Sequence, residues 1–115
     1  MKKNKIYQLV LIIFSNILLS QNLADKKVLV VWGGWEGHKP ELFASHVENW
    51  LINEKADYKI NNGLDAYDNY DELIKYDLII QSVTMDEISK KQEENLLKAV
   101  LSGVGIAGAH GGLVD

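Results

Sequence analysis

Two short, uninterrupted apolar runs constrain the fold of this chain more than any other feature. The first, VLVV at residues 28–31, is soon followed by a pair of glycines, and the second, LII at residues 78–80, lies within YDLIIQSVT. Strands with one solvent-exposed face alternate apolar and polar residues, whereas continuous apolar runs are typical of parallel strands that are buried on both faces. The two runs therefore predict a parallel sheet that is covered on each side.

Amphipathic segments between these runs predict the helices that cover such a sheet. Residues 39–55 place a proline near a helix start. The apolar stripe predicted for this helix consists of Phe43, Val47, Trp50 and Leu51, with Trp50 assigned to the core. Residues 89–103 open with Ser89 and Gln92 in a capping-box arrangement. The apolar stripe predicted for this second helix consists of Leu96, Leu97, Val100 and Leu101.

Two further segments complete the predicted sheet. Residues 57–61 predict a short second strand, and residues 104–112 predict a fourth strand with its exit turn. The polar connection at residues 61–73 has room for a turn of helix. The order strand, helix, strand, strand, helix, strand predicts an α/β fold, an open parallel sheet with right-handed crossovers.

Residues 1–24 are typical of a secretory signal peptide. Three lysines precede an apolar run at residues 6–19, and this run is shorter than the ~20 residues of a transmembrane anchor. Ser20 and Ala24 each offer a small residue at a cleavage point. The sequence thus predicts export to the periplasm or the extracellular space, contact with a membrane only through this leader, and a domain at residues 25–115.

The charge of the chain after the leader excludes some classes of partner. All sixteen acidic residues follow Ala24, whereas three of the twelve lysines precede it, so residues 25–115 carry a net charge of −7. Nucleic acids and anionic membranes bind basic surfaces, so neither is expected as a partner. The chain also lacks cysteine, so no disulfide stabilises the exported domain.

Two glycine-containing loops each follow a predicted strand, and they hold two of the three histidines. The first loop, GGWEGH at residues 33–38, contains His38, and the second, GAHGG at residues 108–112, contains His110. In open α/β sheets, ligands bind beyond the carboxyl ends of the strands, where the strand order reverses. If the first and fourth strands flank that point, the two loops face each other.

The second loop has the G-x-nucleophile-x-G spacing of a nucleophile elbow, with His110 at its centre. Histidine exchanges protons near neutral pH, so His110 and His38 are candidates for acid–base catalysis. Glu36 and Glu41 flank His38 and can supply a carboxylate partner, with Glu41 assigned to catalysis. Asp115 follows the elbow and is another candidate. Two alternatives stay open, namely a histidine that only stabilises its own turn and a metal ligand, although two histidines fall short of the usual three.

The other loop residues predict a ligand-binding role. Trp35 suits stacking against a sugar ring, whereas Trp32, next to the strand, is interpreted as packing in the core, and His46 as a helix residue without function. The glycines match neither G-x-G-x-x-G nor the lysine-bearing phosphate loop, so they indicate a nucleotide site only weakly. No cofactor-binding residue is assigned, and the question of a cofactor stays open. Glycine amides can instead approach a hydroxyl-rich ligand closely. The predicted substrate-binding residues are Trp35, Gly33, Gly34, Gly111, Gly112 and Asp115.

Two long stretches carry a resemblance to a known family. VLVVWGGWEGHKPELF and YDLIIQSVTMDEISKKQEENLLKAVLSGVGIAGAHGGLVD, in this order, resemble the ThuA-like (trehalose utilisation) proteins, a branch of the class I glutamine amidotransferase-like superfamily. The resemblance implies a flavodoxin-like sheet with helices on both faces. It also implies an association with disaccharide or glucoside metabolism, and therefore a small carbohydrate as ligand.

The chain departs from this family in two respects. Ala109 stands where the family commonly has a bulky aromatic residue, which alters one wall of the implied pocket. The family's domains also continue with further strands and helices after GGLVD, so the chain resembles the N-terminal part of such a domain, with a sheet that is incomplete at its C-terminus. Because an uncovered parallel sheet exposes an apolar edge, we expect residues 25–115 alone to be partly unfolded or oligomeric.

Two functional hypotheses follow. The first is an exported carbohydrate-active hydrolase or lyase in which His110, His38 and Glu41 are catalytic. The second is a non-catalytic module of the same fold that binds a sugar or a partner. A cysteine-dependent amidotransferase or peptidase is excluded for these residues, because the chain has no thiol to act as nucleophile.

Overall fold

The computed structural model describes residues 22–109, and the order of their elements matches the predicted order. The strands are β1 (Lys27–Gly34), β2 (Asp57–Asn62), β3 (Leu78–Thr84) and β4 (Gly105–Gly108). The helices are α1 (Pro40–Glu54), α2 (Tyr70–Leu73) and α3 (Lys90–Leu101), and two 3-10 turns lie at Glu36–His38 and Leu64–Tyr67. The polar connection at residues 61–73 thus contains helical turns, as predicted.

All four strands pair in parallel, in the order β2-β1-β3-β4. This is the strand order of flavodoxin-like sheets, so the predicted α/β class is confirmed. The chain passes to one side of β1 to form β2 and to the other side to form β3, so the strand order reverses between β1 and β3. The condition under which the two histidine loops would face each other is not met, because β3 lies between β1 and β4.

Both faces of β1 are buried, which is why its apolar run is continuous. Val28 and Val30 pack on the face covered by α1, whereas Leu29 and Val31 pack on the opposite face, under α2 and α3. Successive side chains of a strand point to opposite faces, so a strand in the middle layer needs an apolar residue at every position. Burying each such side chain fully contributes about 1.5–3 kcal/mol.

The α1 helix contacts this sheet through most of the predicted stripe, because Leu51 is buried and Phe43 and Val47 pack against the same core. Ala44 and Leu51 are buried, whereas Trp50 is 45% exposed, so its assignment to the core is wrong. Leu51 already occupies the position over the sheet, and its neighbour in sequence is rotated away from it by about 100°. Trp32, in contrast, packs against the α1-side core as interpreted.

The apolar stripe predicted for α3 is only half right. Leu96 packs against the core, but Leu97 and Leu101 are 55% and 86% exposed, and Ala99 is fully buried in their place. Asn95 explains this orientation, because its side-chain amide donates to the carbonyl oxygens of residues 67 and 68 at 2.9 and 3.0 Å. Asn95 and Ala99 are four residues apart and share one face of the helix, so the face that makes these bonds is also the face that meets the sheet.

The start of α3 has the predicted capping box. The Ser89 hydroxyl accepts a hydrogen bond from the backbone N–H of Gln92 at 3.2 Å, and the Gln92 side chain accepts one from the backbone N–H of Ser89 at 3.0 Å. The Gln92 amide also donates to Asp68 at 2.8 Å. The helix is therefore fixed at its first turn to the segment before α2.

The predicted signal peptide lies outside the described residues, apart from residues 22–24. Within residues 22–109, no helix combines the length and apolarity needed to cross a bilayer.

Candidate functional site

A cleft of about 460 Å³ opens at the carboxyl ends of β1 and β2, beside the first turn of α1. Its lining residues are Trp32, Gly33, Gly34, Glu36, Lys39, Pro40, Glu41, Leu42 and Asn62. A smaller hollow of about 170 Å³ lies at the opposite edge of the sheet, around Lys27 and Asp57. Because parallel α/β sheets bind ligands at the carboxyl ends of their strands, the larger cleft is the candidate site.

The floor of the cleft is formed by the glycine pair at the end of β1. Gly34 has φ +82°, and a Cβ atom built on it would lie 1.8 Å from the carbonyl oxygen of Thr84. Only glycine permits this conformation together with so close an approach. The backbone N–H of Trp35 then donates to the same Thr84 oxygen at 2.9 Å. The chain is thereby turned out of the sheet directly at the point where the strand order reverses.

The residues that follow this glycine pair contribute charged side chains to the lining of the cleft. Glu36 begins the 3-10 turn, Lys39 has a left-handed backbone (φ +49°), and Glu41 lies in the first turn of α1. All three residues are exposed. Two carboxylates and one ammonium group therefore line the same small volume, and such groups can donate or accept protons and hydrogen bonds from a bound molecule.

Lys39 and Asn62 are cleft residues that the sequence analysis did not identify. Asn62 ends β2 and pairs with Trp32 of β1, which places it beside the glycine pair. Its signal in the sequence was a polar residue at the end of the predicted second strand, in the dipeptide NN before Gly63. Lys39 directly precedes the proline that starts α1, and a left-handed residue before a helix cannot be recognised from its type alone.

Trp35 and His38 lie together in the turn next to the cleft. Their ring centroids are 4.8 Å apart, and the planes meet at 65°, an edge-to-face arrangement. Gly37 permits this contact, because a Cβ atom there would lie 2.3 Å from the Trp35 ring. Trp35 is 52% exposed, and neither ring is among the described groups that line the cleft. The pair thus forms an accessible aromatic edge close to the site.

The structure therefore brings together only some of the predicted site residues. Gly33, Gly34 and Glu41 line the cleft, whereas Trp35 and His38 contact each other in the adjoining turn. The other predicted residues lie outside the described part of the chain, so their roles stay predictions. They are His110, Gly111, Gly112 and Asp115. Within residues 22–109, histidine, aspartate and glutamate side chains form no group of three or more that could hold a metal ion.

Comparisons with known proteins identify one family. No curated protein and no solved structure matches the chain. A family model described as ThuA, trehalose utilisation, matches residues 27–115. The match begins with the first residue of β1 and includes both glycine-containing loops as well as every described helix and strand. The chain therefore belongs to the ThuA family of trehalose-utilisation proteins.

Proposed function

We propose that this protein is exported and acts on a small carbohydrate, a disaccharide or a glucoside, by acid–base chemistry at the cleft beside β1. The observation that carries this proposal is the set of polar groups that line the cleft, two carboxylates, an ammonium group and a carboxamide, next to the indole of Trp32. Ligand sites combine apolar walls with a few polar groups in this way. Membership of a trehalose-utilisation family supports a sugar as the ligand.

The charge of the cleft favours an uncharged sugar. Glu36 and Glu41 together outweigh Lys39, so the lining carries a net negative charge. A phosphorylated sugar would be repelled by the carboxylates, whereas neutral hydroxyl groups can donate to them. The backbone of the glycine pair and the Asn62 carboxamide offer further hydrogen-bonding partners for such hydroxyls.

In the proposed reaction, Glu41, His38 and His110 share the proton transfers. In hydrolysis, one group takes a proton from water as the water oxygen bonds to the anomeric carbon, and another gives a proton to the glycosidic oxygen as its bond to that carbon breaks. Support for Glu41 comes from its position in the first turn of α1, where it lines the cleft. Support for His38 comes from its position in the adjoining 3-10 turn, where its exposed ring contacts Trp35. His110 is included on the spacing of its loop alone.

A second function, sugar binding without turnover, is favoured by the contact between Trp35 and His38. The His38 imidazole is packed against the indole at a centroid distance of 4.8 Å, and the exposed Trp35 ring beside the cleft can stack against a sugar ring. In this alternative the histidine orients Trp35 and transfers no proton.

The test compares binding and turnover in the full chain, with trehalose and glucose as probes. Glu41→Gln should abolish turnover of trehalose and weaken binding by less than about tenfold, because the carboxamide has the shape of the carboxyl group but cannot accept or donate the transferred proton. Glu94→Gln, an exposed change on α3, is the matched control and should alter neither. Saturable binding without turnover in the unmodified protein would establish the binding function instead. If neither sugar binds, the proposal is wrong.

Export has its own test. Mass spectrometry of the protein recovered from the cell envelope or the medium should show an N-terminus near Gln21 or Asp25, after the two predicted cleavage points. An uncleaved chain that stays in the cytoplasm would contradict this part of the proposal.

A further inference from the structure

Thr84 has a buried hydroxyl group that no other group within residues 22–109 satisfies. The residue ends β3 and is 3% exposed, and its Oγ1 has no hydrogen-bond partner in the part of the chain that the structure describes. Burying a hydroxyl without a partner is destabilising, and valine has the same shape without this cost. A threonine at this position therefore calls for a role beyond packing.

Thr84 lies at the point where the strand order reverses, next to the cleft. It pairs in register with Gly34, a residue that lines the cleft, and their backbones are in direct contact. Two positions earlier, Trp32 pairs with Ser82 in the same register. Since residues two apart on a strand share a face, Thr84 lies on the same face of the sheet as the cleft residue Trp32.

The turn at residues 35–38 follows Gly34 beside the end of β3. One backbone hydrogen bond, from Trp35 to the carbonyl oxygen of Thr84, joins it to this strand. The 3-10 turn contains no buried residue, and glycines precede and interrupt it at Gly34 and Gly37. Segments with few buried contacts and permissive hinge residues open at low cost.

We propose that the Thr84 hydroxyl is a sugar-binding group of the cleft, which the 35–38 turn covers in the free protein and uncovers when a sugar binds. The inference rests on the proposed function and deepens it. A threonine hydroxyl can donate one hydrogen bond and accept others, so it matches a neutral sugar hydroxyl, which does the same. The hydrogen bond to the ligand satisfies this buried hydroxyl, so sugar binding recovers the free energy that the unpaired group costs the free protein.

The test uses two variants of the full chain, with the better bound of trehalose and glucose as the probe. Thr84→Val keeps the shape and removes the hydroxyl, so it should raise the urea midpoint of the free protein and weaken sugar binding roughly tenfold. Thr84→Ser keeps the hydroxyl and should bind within about twofold of the unmodified protein. Amide exchange should show less protection of the Trp35 N–H with sugar bound, because the turn has left the Thr84 oxygen.

Stability and affinity should thus change in opposite directions, which a purely structural role would not produce. A lower urea midpoint in Thr84→Val would mean that the hydroxyl is already bonded in the free protein, and would overturn the inference. Unchanged affinity in Thr84→Val, with the unmodified protein still binding sugar, would overturn it while leaving the proposed function intact. Absence of sugar binding in the unmodified protein would instead remove the proposed function itself.

Discussion

Replacing Gly34 with alanine tests the backbone geometry on which the whole site depends. The new Cβ would lie 1.8 Å from the Thr84 carbonyl oxygen, so the ends of β1 and β3 would have to separate by about 1.6 Å to restore an ordinary contact of 3.4 Å. The obstacle is backbone, and no side-chain rotation can relieve it. The residue also has φ +82°, where an L-residue is strained.

The expected loss of stability has three parts. Strain at positive φ costs about 1–2 kcal/mol, and forcing extra volume into a packed contact costs about 1–3 kcal/mol. Separation of the strands also breaks the hydrogen bond from Trp35 to Thr84, at about 0.5–1.5 kcal/mol. We therefore expect Gly34→Ala to lower the free energy of unfolding by about 3–6 kcal/mol, a large share of the ~5–15 kcal/mol of a typical domain.

Gly103→Ala is the matched control. Gly103 has φ +113°, and a Cβ there would meet nothing within 4 Å, so this variant suffers the conformational cost without the collision. In urea unfolding followed by circular dichroism, it should lose about 1–2 kcal/mol. Gly34→Ala should lose at least ~2 kcal/mol more, or fail to fold where Gly103→Ala folds. Equal losses in the two variants would refute the close contact between β1 and β3.

Two further predictions concern pH. The pKa of Asp77 is lowered by the backbone N–H of Lys27 and by the nearby Lys26 ammonium, so the stabilisation from this carboxylate is present above the ordinary pKa of 3.8 and is lost as pH falls through the lower folded value. In an acid titration, Asp77→Asn should therefore show a smaller fall in the free energy of unfolding below pH 3.8 than the unmodified protein does. An unchanged acid profile would contradict the lowered pKa. Burial raises the pKa of Tyr67 above 10.0, so the hydroxyl ionises in the unfolded chain at a lower pH than in the folded one, and the free energy of unfolding falls as pH rises past 10 by about 1.4 kcal/mol per pH unit from this group. Tyr67→Phe, which also removes the hydrogen bond to Gln81, should make this alkaline fall less steep. A profile as steep as that of the unmodified protein would show that the hydroxyl ionises in the folded state.

Most of the fold could be predicted because the two central strands, β1 and β3, are buried on both faces. An apolar residue at each position from 28 to 31 is what a central parallel strand requires. The capping-box pattern in the sequence likewise predicts where α3 begins. Which face of a helix meets the sheet could not be predicted in the same way. Leu97 and Leu101 are as apolar as Leu96, and the choice between them depends on Asn95 bonding to a segment that is distant in sequence.

The candidate site could be predicted only along single loops. Glycines after a strand indicate a turn, so Gly33 and Gly34 were recognised from their sequence context. Asn62 and Thr84 belong to other strands, and they lie beside this turn only because β1 pairs with β2 on one side and with β3 on the other. Strand order depends on packing between segments that are distant in sequence, so it cannot be predicted from a local sequence pattern.

The same burial that defines the sheet also explains where polar side chains collect. A strand that is covered on both faces can hold a polar residue along its length only where that group is satisfied in the core, as the Gln81 side chain of β3 is by the Tyr67 hydroxyl. At the carboxyl ends of the strands, Asn62 of β2 lines the cleft and Thr84 of β3 pairs with the cleft residue Gly34. The backbone of the glycine pair, Asn62 and Thr84 thus lie on three neighbouring strands. A sugar in the cleft would contact strands on both sides of β1, so its binding should stabilise the pairing of β1 with both β2 and β3.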